Sequence, residues 1–418
     1  MADAFTSKAI GDAPKDARNQ TIHVLALSAT KTADALIDPK LVLSWLINAL
    51  GAPGYLTGVL VPIREAGALL PQPLVARVAR KREGRKQFWA LAAGAQGLAA
   101  LSIGVFALTT DGAVAGFGIV ASLLVLALAR SVASTTYKDA LARTVDQGQR
   151  GKVTGLAGGI AAAAALAYGA TMAFGVFGDV TVAVVAAFIL LACVLMLGAG
   201  VMFMGLSERP KKGESAKLVS WSDYLTPLRK DAQFRQFITA RAFLTATALA
   251  PPFLIALTHS EGASLTSLGP LVIASAAAAT LSAPLWGRVS DVSSQLSLAV
   301  GGFAAAAAYA TAAVIGWGEE TQVSLIWASG IMFLGQVGYN GVRSGRAIYL
   351  TDMTTDANRL TYTAVSNMII GLVLVLGLGL GVVSHIAGPA FTLAVCAALS
   401  IVGAAVALKL KRLETAGT

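Results

Sequence analysis

Residues 51–61 read GAPGYLTGVLV, and residues 262–272 read GASLTSLGPLV. Five residues of the first stretch recur 211 positions later in the second, namely Gly51, Ala52, Gly58, Leu60 and Val61 as Gly262, Ala263, Gly269, Leu271 and Val272. At the same offset, the dipeptide at 73–74 returns at 284–285 and the dipeptide at 77–78 returns at 288–289. Because half of the 418 residues is 209, this offset predicts that the chain contains two copies of one unit.

The composition places both copies in a lipid bilayer. Hydrophobic residues make up 56% of the chain, charged residues only 13%, and the mean hydropathy is +0.70. A soluble domain carries roughly 25% charged residues, whereas a membrane-spanning helix needs about 20 apolar residues in a row. Twelve such runs are predicted, near 23–48, 55–77, 88–109, 113–137, 153–175, 181–205, 234–257, 265–288, 297–317, 323–348, 362–384 and 389–409.

These runs predict an all-α membrane protein with twelve transmembrane helices in two pseudo-symmetric six-helix bundles. The polar stretch 208–233 falls where the two repeats join and is predicted to be a cytoplasmic linker. The expected domains are a cytoplasmic N-terminal tail at 1–21, bundles at 22–207 and 234–410 on either side of this linker, and a cytoplasmic tail at 411–418.

The net charge of +10 is distributed as an orientation signal. Lys and Arg concentrate in the N-terminal tail and near 77–86, 138–152, 209–235, 343–359 and 409–412. The loops of the other side carry no Lys or Arg but hold Asp111, Asp179, His259, Glu261, Glu319, Glu320 and His385. Positive loops stay in the cytoplasm, so both termini are expected there, with the basic residues attracting anionic lipid rather than nucleic acid.

Short motifs follow the second and eighth predicted spans. Residues 287–291 read GRVSD and residues 82–86 read REGRK, the front and back halves of a signature written G-x-L-[AS]-D-R-x-G-R-[RK]. Span four contains Leu126-x-x-x-Arg130, and Lys81 stands at the acidic position of the first copy of the signature. In this arrangement the chain resembles the major facilitator superfamily over residues of about 20 to 410. The resemblance implies a cytoplasmic gate formed by Arg82, Gly84, Arg85, Gly287, Arg288, Asp291, Asp139, Arg150, Arg343, Asp352 and Arg359.

The same resemblance implies a secondary active transporter that works by alternating access between its two bundles in the cytoplasmic (inner) membrane. The high content of alanine, glycine and arginine favours a bacterial source. Such a transporter is not an enzyme; it uses the proton gradient and no cofactor, and it acts as a monomer. The sequence has no G-x-x-x-x-G-K-[ST] loop, which argues against a pump driven by its own ATP hydrolysis. Cys193 and Cys396 each stand alone, so no metal ligand set is predicted.

Charged residues inside the predicted spans are the candidates for function, because a charge at the bilayer centre costs on the order of 2.5–3.5 kcal/mol. Span one holds Lys31, Asp34 and Asp38, whose spacings place them on one helix face. Pro39 predicts a break in that span. Span seven repeats the arrangement with Arg241 followed by prolines at 251–252. Paired breaks in the two repeats indicate a transport site.

A proton carrier must be a membrane-depth acid, and the candidates are, in order, Asp34, Glu65 and Asp38. Glu65 adjoins Arg64, and adjacent side chains point about 100° apart on a helix. We therefore expect Lys31 or Arg64 to pair with Asp34 or Glu65 across spans one and two. The alternative is that these acids only hold helices together through salt bridges.

Cations outnumber acids at membrane depth, which favours an anionic or zwitterionic organic solute. The candidates for contact with this solute are Lys31, Arg64, Arg241, Arg130, Tyr339, Asn340 and Asn367. Two other functions stay open. One is a multidrug or metabolite proton antiporter for lipophilic compounds; the other is a non-transporting receptor or assembly factor with the same fold.

Overall fold

The computed structural model describes residues 2–80, 84–208, 221–258, 268–318, 324–355 and 358–413. Within these residues the regular structure is helical. The first half contains α1 (Ala2–Leu36), α2 (Val42–Ala49), α3 (Tyr55–Leu69), α4 (Gln72–Arg80), α5 (Lys86–Thr109), α6 (Gly112–Thr144), α7 (Arg150–Ala173) and α8 (Val182–Met204). The second half contains α9 (Trp221–Lys230), α10 (Ala232–Leu244), α11 (Ala246–Leu249), α12 (Pro251–Thr258), α13 (Leu268–Val292), α14 (Ser294–Gly316), α15 (Leu325–Asp352), α16 (Arg359–Leu376) and α17 (Gly379–Leu408).

Eight segments of the described chain are long and apolar enough to cross a membrane, which confirms the predicted all-α membrane fold. They are α5, α6, α7, α8, the α10–α12 segment, α13, α14 and α17. The predicted spans one, two, ten and eleven coincide instead with α1–α2, α3–α4, α15 and α16, which are interrupted, shorter or more polar. Spans one and two of these four carry the membrane-depth acids, and α15 faces them. The departure from a simple apolar span therefore coincides with the candidate site.

Span one breaks where its proline predicts. Helix α1 ends at Leu36 and α2 begins at Val42, with Pro39 between them. Asp38 lies in this break, where its Oδ1 accepts hydrogen bonds from the backbone N–H groups of Lys40 (2.8 Å) and Leu41 (3.0 Å). The prediction that Asp38 shares a helix face with Asp34 is therefore wrong, because the helix has ended before Asp38.

The second half shows related interruptions. The predicted span seven consists of three short helices, α10, α11 and α12, of which the last begins at Pro251. Helix α17 contains Gly388 in the left-handed region (φ 85°), immediately before Pro389. This kink falls between the predicted spans eleven and twelve. Both repeats thus interrupt their first span, as their prolines indicate.

The two halves meet mainly through α3 against α16 and α17, through α7 against α13, and through α12 against α2 and α3. The tightest approaches use the glycines of the repeated stretch. A Cβ added to Gly58 would lie 2.4 Å from the Cα of Gly381, and one added to Gly269 would lie 2.3 Å from the backbone N of Ala173. Only glycine leaves room for such close backbones. The duplication therefore supplies one contact between the halves from each copy.

The contacts of Gly58 and Gly269 lie on one side of the molecule, near the turn at 51–54. We call this side the opposite face. The other side, which we call the terminal face, holds Asn19 of α1 and the ends of α6 and α17 near Thr144 and Lys409. Asn19 Nδ2 donates to the carbonyls of Thr144 (3.4 Å) and Ser207 (3.3 Å), so it ties α1 to the end of α6 and to the residues that follow α8.

Candidate functional site

Asp34 is held between two arginines from two other helices. Its Oδ1 lies 2.8 Å from Nη2 of Arg64 on α3, and its Oδ2 accepts a hydrogen bond from Nη1 of Arg130 on α6. The side chains of Asp34 and Arg64 are 18% and 12% exposed. The structure confirms the expected pairing of Arg64 with Asp34 and adds Arg130 as a second partner. The cluster therefore combines one carboxylate with two guanidinium groups.

Glu65 follows Arg64 on α3 but has a different environment. No cation of the described residues lies within ion-pair distance of its carboxylate. It is close enough to Arg241 and to the Tyr339 hydroxyl, both in the second half, for electrostatic interaction. It therefore faces the boundary between the halves, while the neighbouring Arg64 is turned to Asp34.

Arg241 is buried on α10, with 7% of its surface exposed. Its Nη1 donates to Oγ of Ser366, and its Nη2 donates to Oδ1 of Asn367 at 3.1 Å, both on α16. Its Nε has no hydrogen-bond partner in the described structure. Asn367 Nδ2 in turn donates to Oε1 of Gln72 in the first half at 3.2 Å. A buried guanidinium that meets only neutral oxygens is unusual, because burial of a charge normally requires a counter-charge.

Lys40 forms a second polar link between the halves. Its Nζ lies 3.5 Å from the centre of the Tyr339 ring on α15, a cation–π contact. Lys31 sits deeper on α1, where it interacts electrostatically with Arg343, Arg130 and Asp34. A Cβ added to Gly158 on α7 would be 3.5 Å from its Nζ.

The remaining predicted contact, Asn340, is placed differently. Its Nδ2 donates to Oγ of Ser282 at 3.1 Å, so it joins α15 to α13 within the second half. The structure thus brings Asp34, Arg64, Arg130, Lys31 and Glu65 together in the first half. Across the boundary it presents Arg241, Asn367, Tyr339 and Arg343.

The predicted gate residues of the first half form a network at the terminal face. Arg85, just before α5, donates from Nε to Asp139 on α6, and Arg143 also contacts Asp139, at 3.1 Å. Glu208 accepts from the backbone N–H groups of Arg85 (2.9 Å) and Lys86 (2.7 Å), which satisfies free donors at the start of α5. Gly84 is next to Glu208, since a Cβ there would lie 3.7 Å from Oε2.

The other predicted gate residues lie outside this network. Arg150 donates to the carbonyls of Val145 and Ala142, both at 2.9 Å, so it closes the end of α6. In the second half Arg288 and Asp291 are exposed and make no ion pair with any described residue. Arg343 and Asp352 are also exposed, Arg359 is partly buried, Gly287 has open space around it, and Arg82 lies outside the described residues.

Four contributors were missed in the sequence analysis: Arg143, Glu208, Ser366 and Gln72. Arg143 could have been found, because it follows Asp139 by one helical turn. Glu208 was assigned to the linker, and its contact with the start of α5 spans 122 residues. Ser366 and Gln72 carry no charge, so nothing in an apolar helix distinguishes them from packing residues.

Comparison with known proteins identifies the family. The model of the Major Facilitator Superfamily matches residues 32–342. This match covers most of the chain, and the chain belongs to the Major Facilitator Superfamily. It is an integral membrane transporter and not an enzyme. A comparison with curated protein sequences gave no match.

Solved structures share the fold at low sequence identity. A POT family transporter in complex with 5-aminolevulinic acid superposes with a TM-score of 0.72 at 12% identity, over 94% of this chain and 96% of that chain. The nucleoside transporter NupG gives 0.67 at 13% identity, over 94% and 99%. The inward open xylose transporter XylE from E. coli gives 0.67 at 11% identity, over 95% and 97%. At these identities the similarity shows the fold alone.

Proposed function

We propose that this protein is a proton-coupled secondary transporter that moves a small anionic or zwitterionic organic solute by alternating access. The observation that carries the proposal is the contrast between two membrane-depth acids. Asp34 is neutralised by two arginines, whereas Glu65, one residue from one of those arginines, has no ion-pair partner among the described residues. The halves that would move are the two bundles, with the charged site between them.

Glu65 is the proton carrier in this proposal, and Asp34 is a fixed counter-ion. Both oxygens of the Asp34 carboxylate bind guanidinium groups, whereas no cation of the described residues lies within ion-pair distance of the Glu65 carboxylate. Glu65 lies at the boundary between the halves, where a change in their arrangement would alter its distance to Arg241. This assignment reverses the order of the two acids expected from the sequence.

The solute class rests on the excess of positive charge. Lys31, Arg241, Arg343 and Arg346 make no ion pair with a described acid. They come from both halves and lie around the boundary. An anion or a zwitterion would supply the missing negative charge. The POT family transporter that shares this fold binds 5-aminolevulinic acid, a zwitterion, and this compound is a suitable first candidate.

The membrane and the orientation follow from the charge pattern of the loops. We place the terminal face in the cytoplasm of a bacterium, because the basic loops lie at that end of the helices. In this orientation the glycine contacts at Gly58 and Gly269 close the outer side. The protein would work as a monomer, since each chain contains both halves of the transport unit.

The test is transport in proteoliposomes that contain a pH-sensitive dye. The panel holds 5-aminolevulinate, a nucleoside, xylose and a lipophilic cation, each offered with and without a proton gradient. We expect 5-aminolevulinate, the zwitterionic solute of the panel, to move together with protons. Glu65→Gln should abolish net proton movement but keep exchange of solute for solute, because exchange needs no proton release.

Asp38→Asn is the matched control, because an asparagine oxygen still accepts the two backbone hydrogen bonds of the break in span one. It should keep proton coupling. Coupled transport that survives Glu65→Gln would contradict the assignment of the carrier. Transport of the lipophilic cation alone would favour the antiporter alternative, and a folded protein that moves no solute of a broad panel would favour a receptor.

A further inference from the structure

Arg241 is a buried guanidinium that donates to two neutral oxygens. It has no carboxylate of the described residues within ion-pair distance, and its Nε is unsatisfied. Glu65 attracts it only from beyond ion-pair distance. Arginine is the side chain best suited to carry charge into such a place, because it stays protonated and offers donors in a fixed plane.

Two neutral oxygens occupy the positions that a carboxylate would take. Ser366 Oγ accepts from Nη1 and Asn367 Oδ1 accepts from Nη2, so each arm of the guanidinium meets one oxygen. The two oxygens of a planar carboxylate bind an arginine in the same two-point manner, with shorter and stronger hydrogen bonds. Ser366 and Asn367 are adjacent on α16.

We propose that Arg241 is the carboxylate-binding subsite of the transported solute, and that a bound carboxylate displaces Asn367. This inference rests on the proposed transport function and names the chemical group that the site recognises. Asn367 is only partly buried, whereas Ser366 and Arg241 are buried, so the solute reaches the guanidinium from the side of Asn367.

Displacement of Asn367 has a consequence for the two halves. Its amide donates to Gln72 at 3.2 Å, and Gln72 begins α4 in the first half. Two hydrogen bonds therefore connect Arg241 at the solute subsite to Asn367 and, across the boundary between the halves, Asn367 to Gln72. A carboxylate that takes over Arg241 releases Asn367 and weakens this link, so that solute binding favours a different arrangement of the halves.

The experiment uses the full-length protein in detergent, without a gradient. The probes are acetate and benzoate, their uncharged amides acetamide and benzamide, and inorganic phosphate, all at constant ionic strength. We expect the two carboxylates to raise the unfolding midpoint in a saturable way, by about 2–4 °C. The amides should give no rise, because they lack the charge, and a response to phosphate alone would overturn the proposed chemistry.

Asn367→Asp is the decisive variant. It places a permanent carboxylate against Nη2 of Arg241, so it should abolish the response to benzoate while the arginine stays in place. Asn358→Asp is the matched control, because Asn358 is the N-cap residue of the same helix and its oxygen accepts from the N–H of Thr355, which an aspartate also does. It should keep the response. Arg241→Gln should abolish the response to benzoate, as Asn367→Asp does.

The link between the halves is measured in the same samples with spin labels at Lys152→Cys on α7 and Val292→Cys on α13, in a background without the two native cysteines. Benzoate should shift the distance distribution in the parent protein and leave it unchanged with Asn367→Asp.

A benzoate response that persists equally in Asn367→Asp and Arg241→Gln would overturn the inference. If carboxylates bind as expected but no proton-coupled transport occurs, the proposed function fails and the subsite stands. If an anionic or zwitterionic solute is transported with protons and Arg241→Gln leaves both its transport and the benzoate response unchanged, the subsite alone fails.

Discussion

Gly58 in the first half and Gly381 in the second half approach so closely that neither can carry a side chain. A Cβ on Gly58 would lie 2.4 Å from the Cα of Gly381, and a Cβ on Gly381 would lie 2.4 Å from the carbonyl oxygen of Tyr55. The neighbouring atoms are backbone, which cannot turn aside as a flexible side chain can. The contact between α3 and α17 at the opposite face therefore depends on two glycines.

The first prediction concerns this contact. Gly58→Ala should force the two halves apart at the opposite face and lower the free energy of unfolding by about 1–3 kcal/mol, as overpacking does elsewhere. The measurement is denaturant unfolding in detergent micelles. The control is Gly54→Ala, because no atom lies within 4 Å of a Cβ there and its φ is −57°. Equal effects of the two changes would refute the steric argument.

The second prediction concerns the cation–π contact of Lys40 with Tyr339. Tyr339→Leu should weaken the association of the halves by about 0.5–2 kcal/mol, because it removes the ring that attracts Nζ. Tyr339→Phe keeps the ring and should keep most of this energy. Both are measured as changes in the free energy of unfolding, with Lys40→Met as the complementary variant. If Phe and Leu prove equivalent at this position, the hydroxyl or simple packing is responsible instead.

The third prediction concerns the buried acid. Asp34→Asn leaves Arg64 and Arg130 without their carboxylate, and loss of one partner of a fully buried pair costs about 3–5 kcal/mol. We expect a smaller loss of about 2–3 kcal/mol, because the Arg130 side chain is 33% exposed and water compensates part of its charge.

Asp38→Asn provides the comparison for that variant. It should cost less than about 1 kcal/mol, since the amide oxygen can still accept from the backbone of Lys40 and Leu41. Urea or SDS unfolding of both variants checks the difference. A larger loss for Asp38→Asn than for Asp34→Asn would contradict the picture of Asp34 as the centre of the ion-pair cluster.

The fourth prediction concerns the asymmetry of the terminal face. Asp139→Asn should lower the free energy of unfolding by about 1–2 kcal/mol, because Asp139 contacts Arg85 and Arg143. Asp291→Asn, the same change at an exposed residue in the second half, should stay within about 0.5 kcal/mol. Thermal unfolding of the two variants side by side tests the expectation. Equal losses would mean that the second half contains an ion pair formed only in another arrangement.

Several features of the fold could be predicted because they are recorded locally in the sequence. The spans follow from runs of apolar residues, and the break in span one follows from Pro39, which removes a donor from the helix. The repeated stretch makes Gly58 and Gly269 equivalent positions of the two copies. The helix face predicted for Asp38 was wrong, because a carboxylate next to a proline can accept hydrogen bonds from the backbone at a chain break as readily as it can extend a charged helix face.

The partners of the charged side chains could not be predicted in this way. Arg130 is 96 residues from Asp34 in the chain, and Asn367 is 295 residues from Gln72. The sequence supplied a small set of cations and acids but several ways to combine them. The choice between Arg64 and Lys31 as the partner of Asp34 depends on the rotation of α1 and α3 about their axes.

The amino-acid sequence was sufficient to predict a duplicated, helical membrane protein, because each segment must meet the requirements of the bilayer separately. These requirements are enough apolar length, hydrogen-bonded backbone groups and basic loops on one side. Only the tertiary structure shows that both oxygens of Asp34 bind arginines, that no described cation lies within ion-pair distance of Glu65, and that Arg241 donates to neutral oxygens. Those outcomes depend on how helices far apart in the chain cross and rotate against one another. A charge in a low-dielectric interior is stabilised only by the groups within a few ångströms of it, and packing decides which groups those are.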